Sequence, residues 1–347
     1  MKIALLAPFE EPIPPEKYGG TELVVANLAE GLVAAGHEVY AVATGDSKTS
    51  ARLLSTFPRA IRKESIAADM NTRSALKFMG VARTLELIAP LELDIIHNHI
   101  GWRFIPFAKQ LKAPVITTLH GPLDINYQKP IYLGYPGHPY VSISDAQRRP
   151  LPDLQYAATV YNGIDITKFQ FNDRPGSYLA FLGRMSPEKG PKIAIEVARQ
   201  AGMKLKMAAK IDAVDRAYFT QEIQPLIDGK QIEYIGEIGP EEKSDFLRQA
   251  AALLAPIQWE EPFGLFLVEA LACGTPVIAL RRGSVPELIR DGETGFVVTT
   301  PTEMVERVSL LSTIDRQRCR QDAEERFTIE AMTQGYAAAY QQVVQQR

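Results

Sequence analysis

Cysteine is scarce in this chain: only two occur in 347 residues, Cys273 and Cys319. Two cysteines can build neither a disulfide framework nor a four-cysteine zinc site, and so low a content is typical of a reducing compartment. Long apolar runs are missing as well. The N-terminal run at residues 3–7 is too short for the core of a signal peptide, and no stretch approaches about 18 uninterrupted apolar residues. These absences lead us to expect a soluble, cytoplasmic protein.

A surplus of charge is also absent. Lys plus Arg number 38 and Asp plus Glu number 41, a net charge of -3. Proteins that bind nucleic acid electrostatically carry a basic surplus, so we expect no nucleic-acid partner. One segment is locally basic, and it predicts either a solvated helix face or weak peripheral contact with an anionic membrane. Its cations are Arg59, Arg62, Lys63, Arg73, Lys77 and Arg83.

Motifs that identify several common enzyme classes are missing. The chain has no G-x-G-x-x-G after a predicted strand, no G-x-x-x-x-G-K-[ST], no H-E-x-x-H and no G-x-S-x-G. The dinucleotide fingerprint, the Walker loop, this zinc motif and the hydrolase nucleophile elbow are therefore excluded. His97 and His99 share a predicted strand end, but two histidines without a carboxylate motif are weak support for a metal.

The hydrophobic pattern that is present predicts tandem α/β domains. A buried strand at residues 2–8, a loop rich in Gly and Pro, a helix at 21–35 and a strand at 38–43 form a parallel crossover unit. The alternation restarts after a polar segment at 169–176. The length also suggests about two domains. We predict two doubly wound, Rossmann-like parallel-sheet domains, at 1–170 and 171–327, followed by a C-terminal helix at 328–347.

One candidate site is the segment GRMSPEKG at residues 183–190. It follows the first predicted strand of the second domain and leads into a helix, which is where open parallel sheets bind phosphate. Arg184 and Lys189 add two cations, the first able to hold a phosphate through two parallel bonds and the second acting as a compact charge. The pattern predicts a diphosphate site, and a capped surface loop is the alternative.

Two carboxylates form a second candidate. Glu261 and Glu269 are eight positions apart, and Gly264 and Leu265 open the predicted helix between them. The first backbone N–H groups of a helix have no partner within it and can bind an anion. Glu269 lies in the apolar run LFLVEALA, where a charge is costly unless it is used. We expect it to reach a ribose diol, and two ordinary surface glutamates are the alternative.

The first domain offers weaker candidates. Gly19 and Gly20 precede its first helix, where paired glycines let the backbone approach a ligand closely; a tight turn is the alternative. His120 ends a predicted strand and can present its carbonyl or imidazole to a sugar, or be structural. The candidate acceptor-side residues are His99, Trp102 and Tyr127.

Taken in order, these segments resemble the retaining GT-B glycosyltransferases of family GT4, also called glycosyl transferases group 1. The resemblance covers essentially the whole chain and is stronger in the C-terminal half. The matching segments are Gly19–Gly20, His120, residues 162–169, 183–190, 261–269, 273–277, 283–287 and 292–296.

The resemblance implies two domains facing across a cleft, with the acceptor bound by the first, the nucleotide sugar by the second, and the final helix crossing back to the first. It implies that Arg184 and Lys189 clamp the diphosphate, that Glu261 holds sugar hydroxyls and that His120 lies beside the sugar; these four are the candidate catalytic residues. The donor-binding set adds Gly19, Gly20, Phe263, Gly264, Leu265 and Glu269.

The activity implied is retaining transfer of a hexosyl group from a nucleotide-diphosphate sugar to an acceptor hydroxyl. UDP-glucose is favoured over GDP-mannose and UDP-N-acetylglucosamine, and the acceptor class, a small molecule, a glycan or a lipid-linked group, stays open. Two side-chain cations replace the divalent metal of other transferases, so we expect no metal and no other cofactor. A GT-B nucleotide-sugar epimerase or hydrolase, or a two-lobed small-molecule binding protein, is the alternative.

Overall fold

The computed structural model describes residues 1–16 and 19–346. The chain forms two compact units. The first contains Met1–Gly163 together with the C-terminal segment that begins at Ile329, and the second is Ile164–Thr328.

A seven-stranded parallel sheet organises the first unit, in the order β3-β2-β1-β4-β5-β6-β7. Its first strand reads KIALL and is buried at every position after Lys2, because an apolar run without alternation suits a strand covered on both faces. The strands are β1 (Lys2–Leu6), β2 (Glu38–Ala43), β3 (Arg52–Ser55), β4 (Ile95–Asn98), β5 (Val115–Leu119), β6 (Tyr140–Ser142) and β7 (Tyr156–Thr159).

The second unit has a six-stranded parallel sheet in the order β10-β9-β8-β11-β12-β13. In both sheets the direction of winding reverses beside the first strand, between β1 and β4 in one and between β8 and β11 in the other. Such reversal points open a crevice at the carboxyl edge of a sheet. The strands are β8 (Tyr178–Arg184), β9 (Leu205–Lys210), β10 (Ile232–Gly236), β11 (Ala250–Ala255), β12 (Val277–Leu280) and β13 (Gly295–Val298).

Helices connect and cover these strands. They are α1 (Gly20–Ala34), α2 (Met70–Ile88), α3 (Lys129–Gly134), α4 (Pro191–Gln200), α5 (Arg216–Tyr218), α6 (Pro240–Arg248), α7 (Leu265–Ala272), α8 (Val285–Leu288), α9 (Pro301–Val308), α10 (Arg316–Arg326) and α11 (Ile329–Gln345). In the first unit α11 lies directly on α1, since a Cβ on Gly31 would stand 2.1 Å from Oγ1 of Thr333. Across the described residues, none of the helices combines the length and apolar character needed to cross a bilayer.

The division between the units falls before the boundary expected after residue 170. Ile164 already belongs to the second unit, because its N–H donates to the Phe327 carbonyl at 2.8 Å and it bridges to Thr328. Asn172 continues this attachment by donating to the carbonyl of Cys273 at 3.2 Å. The polar segment that suggested a linker is therefore bound to the surface of the second unit.

The basic segment of the first unit is largely ion-paired. Arg73 contacts Glu10 at 2.5 Å, and Lys77 pairs with the same carboxylate. Arg62 pairs with Glu11 at 2.7 Å. These pairs reduce the net positive charge of the segment, and membrane contact stays a prediction.

Candidate active site

The second unit places the GRMSPEKG loop at the reversal point of its sheet. Strand β8 pairs with β9 on one side and with β11 on the other. The loops that follow β8 and β11 touch: Gln258 N–H donates to the Glu188 carbonyl at 2.8 Å. Gly190 makes this approach feasible, since it has φ of 71° and a Cβ there would lie 2.1 Å from the Pro256 carbonyl oxygen. The contact brings residues of the two loops into one crevice.

Lys189 and Glu261 meet in that crevice. Lys189 Nζ donates to Glu261 Oε2, and each side chain is only 10% exposed. Trp259 Nε1 donates to the same oxygen at 3.1 Å. The ammonium also lies 5.4 Å from the ring centroid of Trp259 and 5.1 Å from that of Phe266. Aromatic walls with little water around an ion pair strengthen its electrostatic interaction.

Arg184, the last residue of β8, has carboxylate neighbours of its own. Its Nη2 donates to Glu188 Oε1 at 2.5 Å, and its Nη1 lies 3.8 Å from Asp212 Oδ2 in the loop after β9. The sequence pattern predicted two cations near one edge of the sheet, and both lie there. It did not predict that each would face a carboxylate within its own unit.

Glu269 is nearly inaccessible on α7, with 2% of the residue exposed. Its Oε1 accepts a hydrogen bond from Lys243 Nζ on α6 at 2.7 Å. A buried carboxylate is tolerated when a cation and hydrogen bonds compensate it, which explains how a charge survives in the run LFLVEALA. Lys243 was missed by sequence reasoning because no spacing rule connects α6 to α7.

The loop before α7 is held by the segment after β12. A Cβ on Gly283, which has φ of 50°, would stand 2.2 Å from the Glu261 carbonyl oxygen. Ser284 Oγ donates to the Phe263 carbonyl at 2.6 Å. The Phe263 side chain is 2% exposed and packs edge-on against Phe327 at 6.1 Å. Phe263 was expected to contribute to the donor site, and that role stays a prediction. Gly264 and Leu265 open α7 as predicted, at the half-buried rim.

In the first unit three histidines form a chain of ring contacts. His97 ends β4, His99 follows it, and His120 comes directly after the neighbouring strand β5. His120 Nε2 lies 2.7 Å from His99 Nδ1. His99 Nε2 in turn lies 3.2 Å from His97 Nδ1. His99 is 3% exposed, and its ring lies between those of His97 and His120; its expected place on the acceptor side stays a prediction.

The inner end of this chain meets helix α11. His97 Nδ1 lies 2.6 Å from the hydroxyl of Tyr340, and His97 Nε2 lies 2.7 Å from Oγ1 of Thr118. Thr118 Oγ1 donates to the hydroxyl of Tyr336 at 3.0 Å. Both ring nitrogens of His97 are thus engaged by protein groups, which leaves none for a metal.

Burial keeps all three imidazoles neutral at pH 7. It lowers the pKa of His120 to about 4 and the pKa values of His97 and His99 well below their ordinary value. Since Thr118 donates onward, its oxygen accepts from His97 Nε2–H. The Nδ1 atom of the neutral His97 ring then accepts from the Tyr340 hydroxyl at 2.6 Å.

The backbone around His120 is clamped as well. Gln147 Nε2 donates to the carbonyls of Leu119 and Gly121 at 2.8 Å each, one on either side of His120. Gln147 Oε1 accepts from the N–H of Ile143 at 2.9 Å. A buried carboxamide with its donors and acceptor satisfied is rigid, so His120 is positioned through both its ring and its backbone. Gln147 carried no motif in the sequence.

The other first-unit candidates lie around the reversal point. Trp102 packs edge-on against Tyr127 at 6.2 Å, and Tyr127 is 67% exposed. Gly19 directly precedes α1 and is closely packed, since a Cβ there would stand 2.8 Å from Cβ of Pro15. In the first turn of α1, Glu22 is buried, and that burial raises its pKa to about 7.

Comparison with known proteins decides the family. A family model described as glycosyl transferases group 1 matches residues 165–326, and a second, described as glycosyltransferase family 4, matches residues 18–168. The chain belongs to the family 4 glycosyltransferases. The predicted fold class, GT-B with two Rossmann-like parallel-sheet domains, and the predicted transferase class are thereby confirmed.

Individual relatives of this glycosyltransferase carry several names. N-acetyl-alpha-D-glucosaminyl L-malate synthase of Bacillus anthracis is 26% identical, over 94% of this chain and 94% of its own. D-inositol 3-phosphate glycosyltransferase of Mycobacterium marinum is 25% identical, over 86% of this chain and 74% of its own. The crystal structure of Anabaena HepE in complex with UDP-glucose aligns with a TM-score of 0.69 at 18% identity, over 97% of this chain and 98% of its own.

Proposed function

We propose that this glycosyltransferase moves a hexosyl group from a nucleotide-diphosphate sugar to an acceptor hydroxyl, with retention at the anomeric carbon and without a metal. UDP-glucose is the proposed donor, supported by the complex of the structural neighbour HepE with that molecule. The observation that carries the proposal is the placement of Arg184 and Lys189 at the reversal point of the second unit. That point is where open α/β sheets bind nucleotides.

Donor binding exchanges the partners of these cations. The two phosphates of the donor bring negative charge into a crevice where Arg184 faces Glu188 and Lys189 faces Glu261. In our proposal the diphosphate takes over both cations. Glu261 is then released to accept hydrogen bonds from hydroxyls of the sugar, while Glu269 holds the ribose diol from the neighbouring helix.

The proposed reaction needs no covalent enzyme intermediate. The bond between the anomeric carbon and the leaving phosphate oxygen breaks, and the acceptor oxygen forms a bond to the same face of that carbon. The acceptor proton passes to the departing phosphate oxygen. Charge that grows on the diphosphate is stabilised by Arg184 and Lys189, which are in place before the reaction. A divalent metal is dispensable in this scheme because these two cations stabilise the negative charge of the leaving diphosphate.

We assign acceptor binding to the first unit. Trp102 and the exposed Tyr127 present ring surfaces at the carboxyl edge of its sheet. Aromatic faces of this kind pack against the C–H faces of polyols. The relatives named above act on small hydroxylated acceptors, inositol 3-phosphate and L-malate, and we propose a small hydrophilic acceptor here too.

A thermal-shift screen against UDP-glucose, GDP-mannose and UDP-N-acetylglucosamine tests the donor. Ligand binding raises the free energy of unfolding by RT ln(1 + [L]/Kd), so the correct donor gives the largest shift. Transfer to a mixed pool of hydroxylated acceptors is then followed in EDTA, with the anomeric configuration of the product read by NMR. We expect an unchanged rate in EDTA and an α-glucoside.

Three results would contradict parts of this proposal. Free glucose or an isomerised donor without any new glycoside would indicate a hydrolase or an epimerase. Loss of transfer in EDTA, restored by a divalent cation, would refute metal independence. A β-linked product would refute retention.

A further inference from the structure

Arg103 lies in the loop after β4, at the reversal point of the first unit's sheet. This crevice is the counterpart, in the first unit, of the one that holds Lys189 and Glu261. Strand β1 pairs with β4 on this side and with β2 on the other. The loops that leave β1 and β4 thus flank the crevice, one carrying Glu10 and the other carrying Trp102 and Arg103.

The Arg103 guanidinium lies against an aromatic ring. Its central carbon lies 4.2 Å from the ring centroid of Trp102. The residue is half-buried, and burial lowers its pKa while Tyr127 and Glu10 counteract the shift. Within residues 1–16 and 19–346 the guanidinium forms neither a hydrogen bond nor an ion pair. Stacking satisfies the face of a guanidinium but leaves the N–H donors at its edge unused.

Glu10 is the carboxylate that acts electrostatically on Arg103, yet Glu10 is already bound by two other cations. Arg73 Nε donates to it at 3.1 Å, and Lys77 forms a second pair. Arg103 therefore shares its carboxylate neighbour with two cations that already hold it.

We propose that Arg103 binds an anionic group of the acceptor, a carboxylate or a phosphate, so that the acceptor is a small hydroxylated acid. The planar fork of a guanidinium matches both groups through two parallel hydrogen bonds. Its stack on Trp102 fixes the plane of the fork before the ligand arrives, and Tyr127 beside it offers a ring surface to the carbon skeleton. This inference rests on the proposed function only in assigning the acceptor to the first unit.

Calorimetric titration of the full chain, saturated with UDP, tests the proposal with two matched pairs of probes. L-malate is compared with neutral L-malamide, and D-inositol 3-phosphate with myo-inositol; the pairs distinguish a carboxylate from a phosphate ligand. We expect at least one acid to bind the wild type tenfold or more tightly than its neutral counterpart. Arg103→Met should abolish that preference, and Arg103→Lys should retain part of it. Exposed Lys109, in the 3-10 helix that follows, supplies the charge-matched control Lys109→Met, which should bind like the wild type.

Two outcomes would overturn the inference: no preference for either acid in the wild type, or a preference that survives Arg103→Met. Stabilisation by UDP-glucose is measured for every variant. A variant that keeps it is folded, and Arg103→Gln replaces the Met variant if the latter loses its thermal transition. Failure of the wild type to bind any nucleotide sugar would refute the proposed donor, whereas donor binding without acid preference refutes this inference alone.

Discussion

Lys189 and Glu261 stand 72 positions apart in the chain, and their side chains form an ion pair in which each is 10% exposed. Removing one member of such a pair costs about 3–5 kcal/mol when the other charge is left uncompensated. Glu261 therefore occupies the same ammonium group that the diphosphate of the proposed donor would bind. In the proposed function a diphosphate displaces Glu261 because it offers Lys189 an anion of higher charge.

Lys189→Met should lower turnover with UDP-glucose by about 100-fold or more, the scale of losing one charge-stabilising donor in a preorganised site. It should also lower the melting temperature, because Glu261 loses its cation. Lys192→Met is the matched control: Lys192 pairs with Glu222 on the surface, where solvent screens the interaction. Steady-state kinetics provide the test. A folded Lys189→Met protein with turnover within a few-fold of the wild type would refute the role of Lys189 in binding the diphosphate.

Lys243→Met should raise KM for the donor about tenfold and change kcat little. The variant leaves Glu269 buried without the cation that orients it, and the cost of a mispositioned hydrogen bond to a charged group is about 1.5–3 kcal/mol. The decisive readout is the ratio of kcat/KM for UDP-glucose and its 2′-deoxyribose analogue, which should shrink in the variant. The surface variant Lys230→Met should keep the wild-type ratio. If Lys243→Met also kept the wild-type ratio, Lys243 would support only the fold.

Gly283→Ala should reduce both stability and turnover. The new Cβ would meet the Glu261 backbone at 2.2 Å, so the loop that carries this carboxylate has to move. Gly292→Ala separates the two effects: Gly292 also has positive φ, 78°, but a Cβ there meets no described atom within 4 Å. We expect about 1–2 kcal/mol from backbone strain at either position, measured by urea denaturation. Only Gly283→Ala should also lose turnover. Equal activity of the two variants would show that the contact between residue 283 and the Glu261 backbone does not position Glu261 for the reaction.

Stability should fall as the pH is lowered from 7 toward 5. The folded pKa values of His97, His99 and His120 lie below the unfolded value of about 6.5, so below that pH the unfolded chain binds protons that the folded chain excludes. Each such group lowers the free energy of unfolding by up to about 1.4 kcal/mol per pH unit. Glu22 acts in the opposite direction, because its raised pKa lets the folded state hold a proton between about pH 7 and 4.5.

Urea denaturation at pH 7.5 and 5.5 measures the pH effect, and His120→Gln should show a smaller loss on acidification than the wild type. Equal losses in the two proteins would mean that His120 titrates alike in the folded and unfolded states.

Much of the fold could be read from the sequence because its signals are local. The run KIALL predicted a strand buried on both faces, and the helix predicted to open at Gly264 and Leu265 is present as α7. Strand β3 was not predicted. Its sequence, RLLS, is short and half exposed at the edge of the sheet, so the segment carries little hydrophobic signal. The start of the second unit was placed too late because residues 164–173 are polar yet bound to its surface.

The sequence by itself determined the family, the two parallel sheets and the positions of the cations and carboxylates along the chain, since motif order and hydrophobic periodicity are properties of neighbouring residues. The roles of these side chains in catalysis stay predictions. Only the tertiary structure decided their partners: Glu261 for Lys189, Lys243 for Glu269, and His99 for His120. Partner choice depends on distance in space between separate strands and helices, and on how much water the fold removes around each charge, and neither quantity is written in the spacing of residues.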